Sequence, residues 1–234
     1  MGKAKPDVIQ GEKSSKEPLP QKLRGRAAQR PYPHQPFEDA LEFAAAIQRA
    51  AGANSVRRLT LFDEIKKAPE SGTSRQLIVV AGKYGLIKGG VQSEQLQLTP
   101  DGDVATSPDV SERERVRSRI KLAINTTEAF KVLYEKFAGQ KLPSIAILED
   151  AVVDSGLAPQ HKKECVEIFV VNLRFVGLLK VLSGAERIMT IDHALDQLAT
   201  GPSANNIGVQ SLNRQAEHPI ILHSDAEFDR VCFL

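Results

Sequence analysis

Cysteine is scarce in this sequence, and long apolar runs are missing from it. The 234 residues include two cysteines, Cys165 and Cys232, which lie far apart and lack the spacing of a metal site. Solitary thiols are typical of a reducing cytoplasm, so we expect a cytoplasmic protein without a disulfide framework. No apolar segment approaches the roughly 18 residues that are needed to span a bilayer. The residues after Met1 also lack the apolar segment of a signal peptide. The sequence therefore predicts no membrane partner.

Catalytic and metal-binding motifs are missing too. Gly82-Lys83-Tyr84-Gly85 and Gly89-Gly90 do not form a phosphate-binding loop, because no Gly-x-x-x-x-Gly-Lys-Ser/Thr sequence opens a helix. No Gly-x-Ser-x-Gly motif is present, and the five histidines form no i,i+4 pair. His218 and His223 flank a short strand, where a surface role is favoured over a metal pair. We therefore expect a non-catalytic protein with no cofactor and no metal.

Charge is distributed unevenly along the chain. Lys and Arg number 31 and Asp and Glu 29, which leaves a formal charge of +2. Residues 1–30 hold eight of the basic residues and three of the acidic ones, so the remainder is net acidic. Residues 1–35 have few large apolar side chains, which predicts a disordered basic tail. This tail is either a solvated leader or an arm that contacts phosphates.

Residues 71–102 predict a helix followed by a hairpin. Thr73 or Ser74 can cap a helix that Gly85 ends, because a left-handed residue costs glycine least. Strands at 86–99 turn at Gly89-Gly90, and Thr99-Pro100-Asp101-Gly102 closes the unit. This stretch is the basis for interpreting the residues around it.

The preceding residues supply two further helices and a short strand. Pro36 opens a helix that Gly52 ends, Val56-Arg57-Arg58-Leu59 is a strand, and Thr60 caps a second helix. The order helix, strand, helix, turn, helix, hairpin over residues 36–106 resembles the winged helix-turn-helix superfamily. The resemblance implies a mainly α domain with a β-hairpin wing.

Residues 109–199 repeat this plan. Two short segments recur in similar form. Tyr84-Gly85-Leu86-Ile87-Lys88 is similar to Val176-Gly177-Leu178-Leu179-Lys180, and Glu70-Ser71-Gly72 is similar to Asp154-Ser155-Gly156. The later copy has more residues between its Ser-Gly pair and the glycine that ends the helix before the hairpin. That helix, near residues 160–176, should therefore be about two turns longer than its counterpart in the first copy. Helices are expected at 111–125, 127–138 and 145–154, and hairpins at 86–99 and 178–190. The sequence thus predicts a mainly α protein with β-hairpins, in two tandem winged-helix domains.

Residues 200–234 predict a linker and the start of a further α/β domain. Phe228-Asp229-Arg230-Val231-Cys232-Phe233-Leu234 resembles the first strand of a Toll/interleukin-receptor-like or nucleoside deoxyribosyltransferase-like domain. The resemblance implies an N-terminal module of a longer multidomain protein, such as a bacterial defence effector. Its nucleotide-processing site would then follow Leu234.

Two uses of the module stay open, because a fold does not decide function. The first is binding of double-stranded DNA through the first winged helix, with contacts from Arg57, Arg58, Thr73, Ser74, Arg75, Gln76, Lys83 and Lys88. The second is protein binding for assembly or sensing, which would regulate an attached effector domain. The partner is then a second copy of the chain or the adjacent domain, and the interaction stripe is Val166, Phe169, Val170 and Leu173.

Overall fold

Helices dominate both halves of the structure. The computed structural model describes residues 1–2 and 30–200, with side chains through Leu198. The predictions for residues 3–29 and 201–234, which include His218, His223 and Cys232, lie outside the described residues. The first half consists of α1 (Phe37–Ala51), β1 (Val56–Arg57), α2 (Arg58–Glu64), α3 (Gly72–Lys83), β2 (Ile87–Lys88), β3 (Gln95–Leu98) and α4 (Pro100–Thr106).

The second half has a similar sequence of elements. It consists of α5 (Glu112–Ile120), a π-helical turn (Lys121–Asn125), α6 (Glu128–Phe137), α7 (Ile145–Asp154), a 3₁₀ turn (Pro159–His161), α8 (Lys162–Phe175), β4 (Leu179–Leu182), β5 (Ala185–Ile188) and α9 (Ile191–Thr200). The described residues are therefore mainly α-helical with small antiparallel sheets, as the sequence predicts. Within them, no helix combines the length and the apolar character that crossing a membrane requires.

Each half contains an antiparallel hairpin whose second strand also pairs with an earlier segment. In the first half the strand order is β1-β3-β2. In the second half β4 pairs with β5, and residues 139–142 bond to the other edge of β5. The Leu142 N–H donates to the Glu186 carbonyl at 2.8 Å, and the Ile188 N–H donates to the Gln140 carbonyl at 2.9 Å. Strands β1 to β5 lie within the predicted ranges, but α2 already begins at Arg58 and contains Thr60, so the predicted strand at 58–59 and the cap at Thr60 are wrong. From α6 onwards the second half follows the order of the first half, and α5 has no counterpart there.

Helices α3 and α8 end in the way that their sequences predict. Gly85 has φ +73° and Gly177 has φ +77°. In each case the N–H of the next leucine donates to a carbonyl of the last helical turn, at 2.9 Å after Gly85 and 2.8 Å after Gly177. This is the Schellman arrangement, which needs a left-handed residue at the glycine position. The predicted positive φ of both glycines is confirmed.

The start of α3 differs from the prediction. Its N-cap is Ser71, whose Oγ accepts a hydrogen bond from the Ser74 N–H at 3.1 Å. Thr73 and Ser74 both lie inside the first helical turn, so the prediction that one of them caps the helix is wrong. The capping residue, Ser71, immediately precedes the helix.

The third helices of the two halves are closer in length than predicted. Helix α3 has 12 residues and α8 has 14, so the expected two extra turns are wrong. The sequence comparison pairs Gly72 with Gly156, but Gly72 begins α3 whereas Gly156 follows α7 with φ +99°. The structural counterpart of Gly156 is Lys66, which follows α2 with φ +54°. The predicted difference arose from pairing glycines that are not equivalent.

A helix follows each hairpin, and the sequence analysis missed both. Thr99 is the N-cap of α4, and its Oγ1 accepts from the Gly102 N–H at 2.9 Å. Thr190 precedes α9, and its Oγ1 accepts from the His193 N–H at 3.4 Å. The residues expected to close the first unit therefore begin a further helix.

One continuous apolar core runs through both halves. Buried residues of α1, α3, α6 and α8 belong to the same cluster, and residues 30–199 belong to one compact unit. The Phe37 ring of α1 lies 6.1 Å from the Phe175 ring of α8. The ranges predicted as domains, 36–106 and 109–199, thus pack directly on each other.

Residues 30–35, predicted to belong to the tail, pack onto the folded body. Tyr32 is fully buried, and its hydroxyl donates to Glu164 Oε2 at 2.8 Å. Lys83 Nζ donates to the carbonyls of Arg30 and Tyr32 at 2.7 and 3.0 Å. The predicted boundary at residue 35 is therefore too late in the chain.

Candidate nucleic-acid interface

Five of the eight residues predicted to contact DNA are exposed. Thr73, Arg75 and Gln76 lie in the N-terminal half of α3. Arg57 lies in β1 and Lys88 in β2. These side chains form two surfaces, one on α3 and one on the outer face of the first sheet.

The outer face of the first sheet is basic and rich in amides. Arg57 lies opposite Gln95, and Lys88 lies opposite Gln97. All four residues are exposed, and none of the three strands contains an acidic residue. The sequence analysis missed the two glutamines. Their alternation with Leu96 and Leu98 in β3 is the signal that places them on the outer face.

Between α2 and α3, the carboxylate of Glu70 lies between two arginines. Its Oε1 is 2.7 Å from an Nη of Arg58, and its Oε2 is 2.7 Å from an Nη of Arg75. Hydrogen bonds from Arg75 and Arg58 lower the pKa of Glu70 below its ordinary value. We call these residues the Arg58–Glu70–Arg75 cluster. Glu70 lies outside the predicted set of DNA contacts. Arg58 belongs to that set, but its side chain is largely covered.

Ser74 and Lys83 do not belong to the exposed surface. Ser74 is fully buried, and its hydroxyl donates to the Ala68 carbonyl at 2.7 Å. Lys83 lies at the opposite end of α3, where its ammonium group holds the segment at residues 30–32. Partial burial and the charge of Arg30 lower the pKa of Lys83. Both predicted contacts are corrected, because these side chains stabilise the fold.

The predicted interaction stripe on α8 is part of the core. Val166, Phe169 and Leu173 are fully buried, and Val170 packs against the same cluster. The Phe169 ring lies 6.0 Å from the Phe130 ring of α6. The stripe is wide because α8 contacts neighbouring helices of its own chain. These residues are therefore not available to a partner.

Other apolar side chains of the second half are exposed instead. Ile145 and Ile147 at the start of α7 are 46% and 52% exposed, and Val181 in β4 is 68% exposed. The adjacent Leu182 is 39% exposed. Apolar groups of this size at a surface favour protein contacts when they are contiguous.

Few features of the described residues favour catalysis. Among them, no three His, Cys, Asp or Glu side chains form a group that could hold a metal ion. Burial raises the pKa of Cys165 to about 12, so its thiol stays protonated. A groove of about 520 Å³ between α1 and α3 is lined in part by Asp39, Glu42 and Lys67, which mixes charges of both signs.

Comparisons with known proteins identify no family for this chain. No protein-family model, curated protein or solved structure matches it. The winged-helix assignment of the two halves therefore stays a prediction, and it rests on their order of helices and strands.

Proposed function

We propose that this chain is a non-catalytic tandem winged-helix module whose first half binds double-stranded DNA. The order helix, strand, helix, helix, hairpin supports the assignment in both halves, with residues 139–142 as the short strand of the second. In helix-turn-helix proteins the recognition helix enters the major groove. Helices α3 and α8, each followed directly by a hairpin, have the corresponding position.

One observation favours α3 as the DNA-contacting helix: it contains no acidic residue. Its exposed N-terminal half presents Thr73, Arg75 and Gln76. Helix α8, its counterpart, contains Glu164 and Glu167. Carboxylates repel the phosphate backbone, so the first half is better suited to DNA than the second.

The exposed residue types fit the two kinds of DNA contact. Glutamine recognises adenine edges through paired hydrogen bonds, which assigns a base contact to Gln76. The planar guanidinium of Arg75 suits a phosphate contact. Arg57 and Lys88 on the sheet form no ion pair among the described residues, so their charges are available to phosphates. The first N–H groups of α3 can add a phosphate contact.

Binding of a labelled duplex, followed by fluorescence anisotropy over a range of salt concentrations, tests this proposal. Arg75→Ala should weaken binding and reduce the slope of log K against log salt by about one, because one phosphate contact is lost. Lys163→Ala is the matched control, since it removes a 77% exposed cation from α8. Its slope should equal that of the wild-type protein. Absence of wild-type binding at low salt, or equal losses in both variants, would refute the proposal.

A second candidate function is protein binding through the second half, for assembly or for sensing that regulates an attached effector domain. The exposed Ile145, Ile147 and Val181 favour it. If the partner is a second copy, light scattering should show a dimer or larger species, and Ile147→Glu should convert it to a monomer. A wild-type protein that stays monomeric at high concentration would exclude self-association.

A further inference from the structure

A carboxylate of the protein itself lies beside the exposed start of α3, where it pairs with two arginines. In the Arg58–Glu70–Arg75 cluster, the Arg58 side chain is 15% exposed, whereas Glu70 is 60% and Arg75 is 50% exposed. Arg58 is also held by a hydrogen bond from its guanidinium to the Pro69 carbonyl at 3.5 Å. One guanidinium is thus fixed in the fold, and the carboxylate lies on the solvent side.

The same cluster has the chemistry of a phosphate site. Guanidinium groups bind carboxylates and phosphates through the same planar arrangement of donors. Two guanidinium groups share one carboxylate here, so the cluster keeps a net positive charge. Glu70 lies between α2 and α3, outside both helices, and its side chain can turn away without breaking a helical hydrogen bond.

We propose that Glu70 competes with DNA phosphate for Arg58 and Arg75 and thereby limits the affinity of the first half for DNA. This inference rests on the proposed function and adds a control element to the same surface. In the free protein the Glu70 carboxylate accepts hydrogen bonds from both guanidinium groups. In the complex a phosphate takes its place, and Glu70 returns to solvent.

Glu94 provides a matched control for the charge of Glu70. It is exposed and lies beside the same cluster, because its carbonyl accepts a hydrogen bond from the Arg58 N–H at 2.9 Å. Its carboxylate forms no ion pair within residues 30–200. Glu94→Gln therefore removes one negative charge from this region and leaves both guanidinium groups paired with Glu70.

Duplex binding by the wild-type protein, Glu70→Gln and Glu94→Gln, measured by anisotropy at several salt concentrations, tests the competition. Glu70→Gln should tighten binding roughly fivefold at low salt, because a surface ion pair no longer has to be broken. Its salt slope should stay close to that of the wild-type protein, because the same phosphate is neutralised in both complexes. Glu94→Gln should tighten binding by less than about twofold, since its charge is exposed and screened.

The double variant Glu70→Gln with Arg75→Ala shows whether the gain depends on the arginine, and it should lose most of the gain. Equal gains for Glu70→Gln and Glu94→Gln would overturn the competition in favour of a general charge effect. So would the absence of a gain in a Glu70→Gln protein with an unchanged thermal midpoint. If the wild-type protein and both glutamine variants fail to bind duplex at low salt, the proposed function itself falls, and this inference falls with it.

Discussion

The side-chain amide of Asn172 donates a hydrogen bond to the Tyr84 hydroxyl across a distance of 3.0 Å. This bond joins α8 to the end of α3, and so connects the two halves. Asn172 Oδ1 also accepts from the Phe37 N–H at 2.8 Å, and the Tyr84 hydroxyl donates to the Gln35 carbonyl at 2.8 Å. Burial raises the pKa of Tyr84, which keeps this donor protonated. A fully buried polar group needs such partners, so the junction ties the halves into one unit.

Replacing the junction amide should destabilise the whole unit. Asn172→Leu leaves the Phe37 N–H without its partner, and we expect the free energy of unfolding to fall by about 2 to 4 kcal/mol. Tyr84→Phe is the control, because it removes one hydroxyl and keeps the bond to Phe37, and it should cost about 1 kcal/mol. Urea unfolding followed by circular dichroism measures both. A smaller cost for Asn172→Leu than for Tyr84→Phe would argue against this role.

Gly102 should tolerate no side chain. A Cβ atom there would lie 2.1 Å from the Leu86 carbonyl oxygen, so the backbone at the start of α4 would have to move. We expect Gly102→Ala to lower the free energy of unfolding by more than about 2 kcal/mol. Gly72→Ala, whose Cβ would meet no atom within 4 Å, should be neutral or stabilise by up to about 1 kcal/mol. Similar thermal midpoints for the two variants would contradict the close approach.

Stability should decrease in mild acid because of His34. Partial burial and the charges of Lys83 and Arg30 lower the pKa of His34 below its ordinary value of 6.5. The unfolded chain then binds a proton at higher pH than the folded protein, so the free energy of unfolding falls as the pH drops below the ordinary value. Urea midpoints at about pH 7.5 and about pH 5 should differ less in His34→Gln than in the wild-type protein. An equal difference in both would assign the pH dependence to other groups.

The fold is predictable where its signals are local. Gly85 and Gly177 mark helix ends because the required backbone conformation is a property of a single residue. The start of α4 also has local signals, since Thr99 is a suitable cap and Pro100 suits the first helical position. Gly102 in the same turn favours a loop instead. A glycine is needed at this position because the backbone lies against the Leu86 carbonyl, a contact that the sequence does not show.

The candidate site is less predictable, because it depends on contacts between distant segments. The polar residue types of Thr73, Arg75 and Gln76 indicate that the start of α3 is exposed. They do not show that Lys83 binds the carbonyls at residues 30–32, or that Glu70 lies between two arginines. The apolar stripe of α8 likewise fits a core or an interface equally well. Only the packing of α8 against other helices of the same chain decides between them.

Hydrogen exchange of the intact protein, with and without a saturating DNA duplex, tests the central claim most directly, because it shows which backbone amides the duplex protects. We expect slower exchange at residues 56–58, 70–79 and 87–97, and unchanged exchange in α7 and in the hairpin of β4 and β5. Protection confined to the second half would contradict the account. Absence of protection anywhere in the first half would contradict it equally.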